Sequence, residues 1–240
     1  DHVLTLVETQ RQNPPTYPSQ RGGKIVDITI RDWYSRSNTF KGMHKLFRVP
    51  IEFAHHESLE IDPYFLGILL GDGGLQRSIN VTKADAEIRD AVYAEATQRS
   101  LKVREVAGHG CTTYYIRGAS RGPRATQNSL RNDLKILGLY GSDSATKFIP
   151  WKYKTASMTD RLSLLAGLMD TDGCADKSGY DYISKSEQLA RGVAFVARTV
   201  GLMAFVRPCE KFDQNGHGGV YWRVGISGDA NKIPCRITRK

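Results

Sequence analysis

From Ile61 onward the alternation of apolar and polar positions falls into two matching series. Each opens on a helix-start signal, Asp62 before Pro63 in the first and Ser157 ahead of Asp160 in the second. Each then enters an apolar run that closes in Asp-Gly: FLGILLGDG (Phe65–Gly73) and LAGLMDTDG (Leu165–Gly173). Strand-like runs follow, SINVTK (Ser78–Lys83) and YDYISK (Tyr180–Lys185), and then helical stretches over Asp85–Arg99 and Glu187–Val200. Further strands begin at LKVREV (Leu101–Val106) and MAFVRP (Met203–Pro208), with partners at TTYYIRG (Thr112–Gly118) and VYWRVGIS (Val220–Ser227). Both series reach a lysine-isoleucine-proline element, Lys147-Phe148-Ile149-Pro150 and Lys232-Ile233-Pro234. One shared element arises easily by chance. A whole series in one order predicts an internal duplication.

The pattern before Ile61 is different. VLTLVE (Val3–Glu8) and KIVDITI (Lys24–Ile30) alternate as short strands, and the Pro- and Gly-rich QNPPTYPSQRGG between them reads as a loop. RDWYSRSNTFKGMHKLFRVP then interleaves Arg31, Arg36, Lys41, Lys45 and Arg48 with Trp33, Tyr34, Phe40 and Phe47. Such a stretch suits a nucleic-acid backbone; a solvated helix face is the equal alternative. Three segments are therefore expected: 1–53, then repeats over 54–150 and 151–240.

Composition changes this picture in two respects. The 240 residues suffice for a real core, and a formal net charge of +9 with pI about 9.4 favours a polyanionic partner. The cysteines, Cys111, Cys174, Cys209 and Cys235, form no C-x-x-C pair, so neither a zinc site nor a disulfide framework is expected. No apolar run reaches membrane-spanning length and no secretory signal opens the sequence, so an intracellular chain that does not meet a membrane is expected.

The repeated run carries its own chemistry. Gly67 with Gly71, and Gly167 with Thr171, place small residues four apart on a helix, so the two helices can pack against each other at close range. Asp72 and Asp172 then meet where the helices end. Carboxylates at helix C-termini are disfavoured, and two of them repel. A divalent cation such as Mg²⁺ relieves both costs, and it commonly binds through one or two carboxylates plus substrate phosphate oxygens. The alternative is an ordinary helix-to-turn, which explains one copy more easily than two.

These residues resemble a known family. LAGLMDTDG is similar to the LAGLIDADG motif almost letter for letter, and FLGILLGDG resembles the degenerate first copy of two-motif members. The likeness runs from about Ile61 to Pro234 and points to single-chain LAGLIDADG homing endonucleases. It implies an α+β fold: a pseudo-twofold pair of αββαββα units whose antiparallel sheets form a saddle over the DNA major groove, with a small β-containing N-terminal segment. It implies a monomer that cuts both strands of a long double-stranded DNA target, leaving 3′ overhangs, with two or three divalent ions, Mg²⁺ among them. By position Asp72 and Asp172 are the metal-binding acids, and Gly71 and Thr171 just before them are assigned to the same metal site. Asp170 matches the earlier motif acid, where the first copy has Leu70; that position is not the usual metal ligand. A catalytic lysine is implied near the unit ends, at Lys147 or Lys232, with a plain phosphate contact as the alternative for each.

DHVLTL (Asp1–Leu6) resembles the histidine-containing block of inteins, and KFIP resembles a block inside intein endonucleases. The likeness is to the endonuclease portion of an intein, in a microbial or phage-encoded host. The sequence opens on Asp1 and closes on RITRK, without a splicing nucleophile or a terminal His-Asn, so self-splicing by this chain alone is not expected.

Strand alternation supplies the candidates for reading DNA. In the first unit they are Gln76, Arg77, Arg104, Glu105, Tyr115 and Arg117, and in the second Tyr180, Tyr182, Lys211, Tyr221 and Arg223. Arginine to guanine is the commonest base contact, while a phosphate contact or plain exposure is the alternative for any one of them. The polar loops at Gly108–Cys111, Ala119–Asn128 and Asp213–Gly219 are expected at the sheet tips. Two other readings remain open: a DNA- or RNA-binding protein of this fold without cleavage, and a protein-splicing element.

Overall fold

The computed structural model describes residues 2–9, 23–54, 57–119, 128–176, 179–212 and 218–239. The polar loops expected at 119–128 and 213–219, and the loop between the first two strands, lie largely outside them. The chain divides into two compact units, Asp1–Val49 and Pro50–Lys240.

The first unit contains β1 (Val3–Glu8), β2 (Ile25–Thr29), α1 (Ile30–Ser35), α2 (Asn38–Met43) and β3 (His44–Leu46). Its strands form an antiparallel sheet in the order β2-β1-β3 around buried Leu6 and Ile28. The basic, aromatic stretch folds as two six-residue helices and the short strand β3. Thr29 accepts from the Asp32 N–H at 3.1 Å and Ser37 from the Phe40 N–H at 3.2 Å, which caps each in turn. His44 stacks on Phe40 at 3.8 Å and Arg36 lies over the same ring, so part of this stretch is spent on local packing.

The second unit holds the duplication. Its first half runs α3 (Pro63–Asp72), β4 (Gly73–Gly74), β5 (Ile79–Lys83), α4 (Ala86–Gln98), β6 (Lys102–Ala107), β7 (Thr112–Arg117) and α5 (Ser129–Ile136). The second half runs α6 (Trp151–Lys154), α7 (Met158–Asp172), β8 (Gly173–Asp176), β9 (Gly179–Ser184), α8 (Glu187–Thr199), β10 (Met203–Phe212) and β11 (Gly218–Ser227), and a short 3-10 turn at Ala230–Lys232 follows. The sheets are both antiparallel and share one topology, β4-β5-β7-β6 and β8-β9-β11-β10. The expected α+β fold with two antiparallel sheets is the observed one.

The unit boundary falls before residue 53, for a physical reason. Arg161 is fully buried and donates to the carbonyls of Thr199 (2.9 Å) and Ile51 (2.5 Å), and its guanidinium sits over the Phe53 ring. The Ile51 N–H donates to Thr199 O at 2.8 Å. Residues 50–53 are thereby pinned to the second unit.

Helices α3 and α7 form the centre of that unit. Asp62 and Ser157 cap them, accepting from the Phe65 and Asp160 N–H groups. Pro63 through Leu70 are buried without a break, so α3 is apolar on every side. The two helices cross at Gly67 and Gly167. A Cβ built on Gly167 would lie 2.1 Å from Tyr64 O, and one on Gly67 would lie 2.4 Å from Leu164 O. No residue but glycine permits that approach. Gly73 and Gly173 have ordinary φ values of −76° and −73°, so the chain leaves each helix without needing glycine's freedom. Their role is space again: added Cβ atoms would meet Leu69 O at 2.4 Å and Met169 O at 2.7 Å.

Candidate active site and nucleic-acid face

Because the glycine seam brings α3 and α7 into backbone contact, the acids that end them arrive together. The Asp172 carboxylate lies 3.4 Å from where a Cβ on Gly71 would sit. Lys83, from the last position of β5, pairs with Asp72 and donates to Thr171 O at 2.9 Å, so one ammonium spans both motifs. Lys147 donates to Gly71 O at 2.9 Å and is almost wholly buried. That burial pulls its ammonium down to about 8, against the opposing pull of the Asp172 and Asp72 carboxylates.

Two clefts open beside this group. One of about 570 Å³ is lined by Asp72, Gln76, Arg77, Asn80, Ser142 and Lys147, among others. The other, about 210 Å³, borders Gly71, Lys147, Asp172, Tyr182, Lys185 and Tyr221. Lys147, Gly71 and Ser144 face both.

The donors available to a cation are all oxygens: two carboxylates and the carbonyls of Gly71 and Thr171. The Thr171 hydroxyl is already spent on Gly167 O and Leu168 O at 2.9 and 3.0 Å, so only its carbonyl could serve. Among the described residues no group of three or more His, Cys, Asp or Glu could hold a metal by itself. This set fits a hard divalent ion that takes its remaining oxygens from water and phosphate. That two ammonium groups already sit on these same oxygens shows the site's demand for positive charge.

Asp170 has a different role. It is fully buried and accepts from the Tyr64 hydroxyl (2.8 Å) and the Arg236 and Ile237 N–H groups (2.8 and 3.3 Å). It ties the tail to the helix pair, with the Arg236 guanidinium lying on the Tyr64 ring. Its counterpart Leu70 simply fills the core.

The sheet registers sort the strand residues by face. Arg104, Tyr115 and Asn80 form one row on the face away from the helices, and Lys102 pairs with Arg117 in the next. In the other sheet Arg207 pairs with Arg223, Cys209 with Tyr221 and Lys211 with Gly219, again outward. Gln76 and Arg77 are exposed in the β4–β5 turn. Arg104, Tyr115, Arg117, Lys211, Tyr221 and Arg223 are thus placed where a groove could be read.

Three candidates are not. Glu105 points to the helix side and accepts from Tyr93 of α4 at 2.8 Å. Tyr180 and Tyr182 are 9% and 0% exposed, on the inner face with Val224 and Ile226. All three lie on the inward parity of the alternation; the outward neighbours are Arg104 and Val106 in the first sheet and Asp181 and Ile183 in the second. Lys232 does not mirror Lys147. It is half exposed on the 3-10 turn, pairs with Asp229 at 3.4 Å and borders neither cleft. The chain reaches Lys147 only after α5, whereas Lys232 follows β11 directly.

Lys83 and Lys185 by the acids, and Lys102 and Arg207 on the outer faces, join the residues expected from the sequence. The first two had a visible signal, since SINVTK and YDYISK both end in lysine beside the motif. They are not strict equivalents: Gly73 pairs with Val81 and Gly173 with Tyr182, so Ser184 holds the register place of Lys83 and Lys185 lies one beyond.

A family model described as a LAGLIDADG-like domain matches residues 160–232. The first half of the second unit repeats that domain's strand order and its helix-to-aspartate ending. A replicative DNA helicase DnaB from Mycobacterium intracellulare is 31% identical over 142 residues, which are 59% of this chain and 19% of that protein. The chain therefore spans about a fifth of that relative. Among solved structures it is similar to variants of the homing endonuclease I-DmoI, at 16% identity and a TM-score of 0.47 over 72% of this chain and 85% of that one. It is also similar to I-DmoI in complex with DNA and Ca, at 14% identity and a TM-score of 0.46 over the same shares. Among the described residues no helix is long and apolar enough to cross a membrane.

Proposed function

We propose that this chain is a site-specific homing endonuclease that makes a metal-dependent double-strand break in DNA. One observation carries the reading. Asp72 and Asp172, from two copies of one helix, converge at a seam that only glycines permit, with lysines on the adjoining oxygens. A binding protein has no need of that costly group. The basic outer faces of both sheets support a duplex partner, the saddle supplying contacts on either side of the acids.

Asp72, Asp172 and the Gly71 and Thr171 carbonyls would hold the divalent ions. When bound, such ions activate water and neutralise charge on the phosphate. Lys147, drawn down to about 8 by burial, is placed to orient an attacking water or to meet charge on a phosphate oxygen through the clefts it faces. Lys83, which spans Asp72 and the Thr171 carbonyl, would meet phosphate charge beside them. Lys185 lines the cleft of Asp172. Gln76, Arg77 and Tyr221 border the clefts and position the strands, and Arg31, Arg36, Lys41, Lys45 and Arg48 of the first unit add phosphate contacts.

The match to a stretch of a replicative helicase supports a second element of the reading, that the chain is carried inside a host protein as an intein endonuclease. The test is direct. A plasmid bearing a DnaB-type helicase gene without the inserted segment is incubated with the protein, Mg²⁺ or EDTA. Linear product with 3′ overhangs in Mg²⁺ alone supports the proposal. Retention of the plasmid with no cut in any divalent ion, despite specific binding, would favour a protein of this fold that binds without cleaving.

A further inference from the structure

The two outer sheet faces differ in chemistry. In the first sheet the outward residues of the paired rows are Lys102, Arg104, Asn80, Thr82, Tyr115 and Arg117, with the single aliphatic Val106, 38% exposed, in the Thr82–Thr113 row. The second sheet carries Met203 and Phe205 side by side on the same face, 39% and 54% exposed. Ala204 between them is buried on the helix side, so this is strict alternation and not a frayed strand. Phe205 pairs across β11 with Gly225, and Gly225 with Asp181. Among the described residues nothing lies within 4 Å of where a Gly225 Cβ would be. The missing side chain leaves a notch in the sheet surface, part of an open cleft of about 440 Å³ that Phe205, Met203, Arg207, Arg223 and Asp181 border. Arg223 leans on Asp181 at 3.4 Å, which holds its guanidinium at the edge of the notch.

An apolar pair in the midst of arginines, on a chain of net charge +9, has a specific fit to duplex DNA. The thymine 5-methyl is the apolar group that an unmodified base pair presents to the major groove, and phosphate or guanine suits the flanking arginines. We propose that the Phe205–Gly225 notch takes the 5-methyl group of a thymine, so that the second repeat reads its half-site partly by apolar contact. The inference rests on the endonuclease reading above, in which both outer faces lie in the groove.

The test isolates the methyl group. Duplexes bound by the full chain are selected from a random pool in Ca²⁺, and each thymine of the selected site is then replaced in turn by deoxyuridine, which removes only the methyl. The wild-type chain is expected to lose about fourfold in affinity at one position, or two adjacent ones, on one side of the site, the value of one buried methyl group. Phe205→Ala, at a half-exposed position that leaves the fold intact by circular dichroism, should bind the thymine and deoxyuridine duplexes equally. Gly225→Val, which closes the notch from the opposite strand, should do the same, while Phe205→Leu should keep the discrimination. A wild-type chain that binds its site but is indifferent to every methyl, or a Phe205→Ala variant that discriminates as well as wild type, overturns the inference alone. Failure to select any duplex overturns the endonuclease reading and the inference with it.

Discussion

At the scale of single residues the centre depends on how burial and charge are balanced at Lys147. Its ordinary value is 10.5; burial pulls it to about 8 in the folded chain, and the two acids offset only part of that. The unfolded chain therefore binds a proton that the folded chain has released between about pH 8 and 10.5. Stability rises with pH wherever the unfolded state holds more protons, so this lysine costs the fold most below pH 8 and progressively less above it. In metal-free buffer, the wild-type chain should gain stability relative to Lys147→Met as pH rises from 8 to 10, read by urea unfolding. A difference that stays flat over that interval would show that Lys147 is not held in the buried, charged contact with Gly71 O. Lys147 was legible in the sequence through its Lys-Phe-Ile-Pro setting. Lys232, chosen by the same signal, was not comparable, because the string does not reveal whether a helix intervenes before the lysine turns inward.

Among the elements, the helix pair was the most legible part of the molecule. Small residues at helical spacing, Gly67 with Gly71 and Gly167 with Thr171, among leucines, indicate a close helix contact when the string occurs twice. Gly167→Leu should lower the thermal midpoint sharply and remove activity. Overpacking costs typically ~1–3 kcal/mol, and here the first added atom already collides with the Tyr64 carbonyl. An unchanged midpoint with full activity would contradict the seam. The sheets were legible as strands but not as faces. Alternation fixes that neighbours point oppositely and leaves open which of them is inward, and burial decides. Tyr180 and Tyr182 are aromatic residues buried on the inner face, the Tyr180 hydroxyl against Cys235 Sγ at 3.3 Å, and Glu105 is an acid that a helix tyrosine satisfies. The corrected parity makes a sharp expectation. Arg104→Ala and Arg117→Ala should each weaken DNA binding and reduce the log-log salt slope by about one. Glu105→Gln and Tyr182→Phe should leave the slope unchanged, and a slope change in these inner-face variants would contradict the register.

At the scale of the whole molecule, the duplicated half is what the repeated pattern implied, down to strand order, because a repeat that cannot bury its own helix must pair with another copy. The division at Val49 was less legible. Arg161 draws residues 50–53 into the second unit through backbone carbonyls, an attachment that no local pattern announces. Removing residues 1–49 should therefore leave the second unit cooperatively folded. If Arg31 to Arg48 contact phosphates, the shortened chain should bind DNA more weakly with a flatter salt dependence; an identical slope would assign the first unit another role. The claim on which all of this converges is that Asp72 and Asp172 serve one double-strand cut together. A strand-resolved cleavage assay on Asp72→Asn and Asp172→Asn in Mg²⁺, with binding measured in parallel, tests it most directly. Each variant should bind near wild-type affinity and make no double-strand break, leaving at most a nick in one strand. Wild-type rates of double-strand cleavage by either variant would contradict the account.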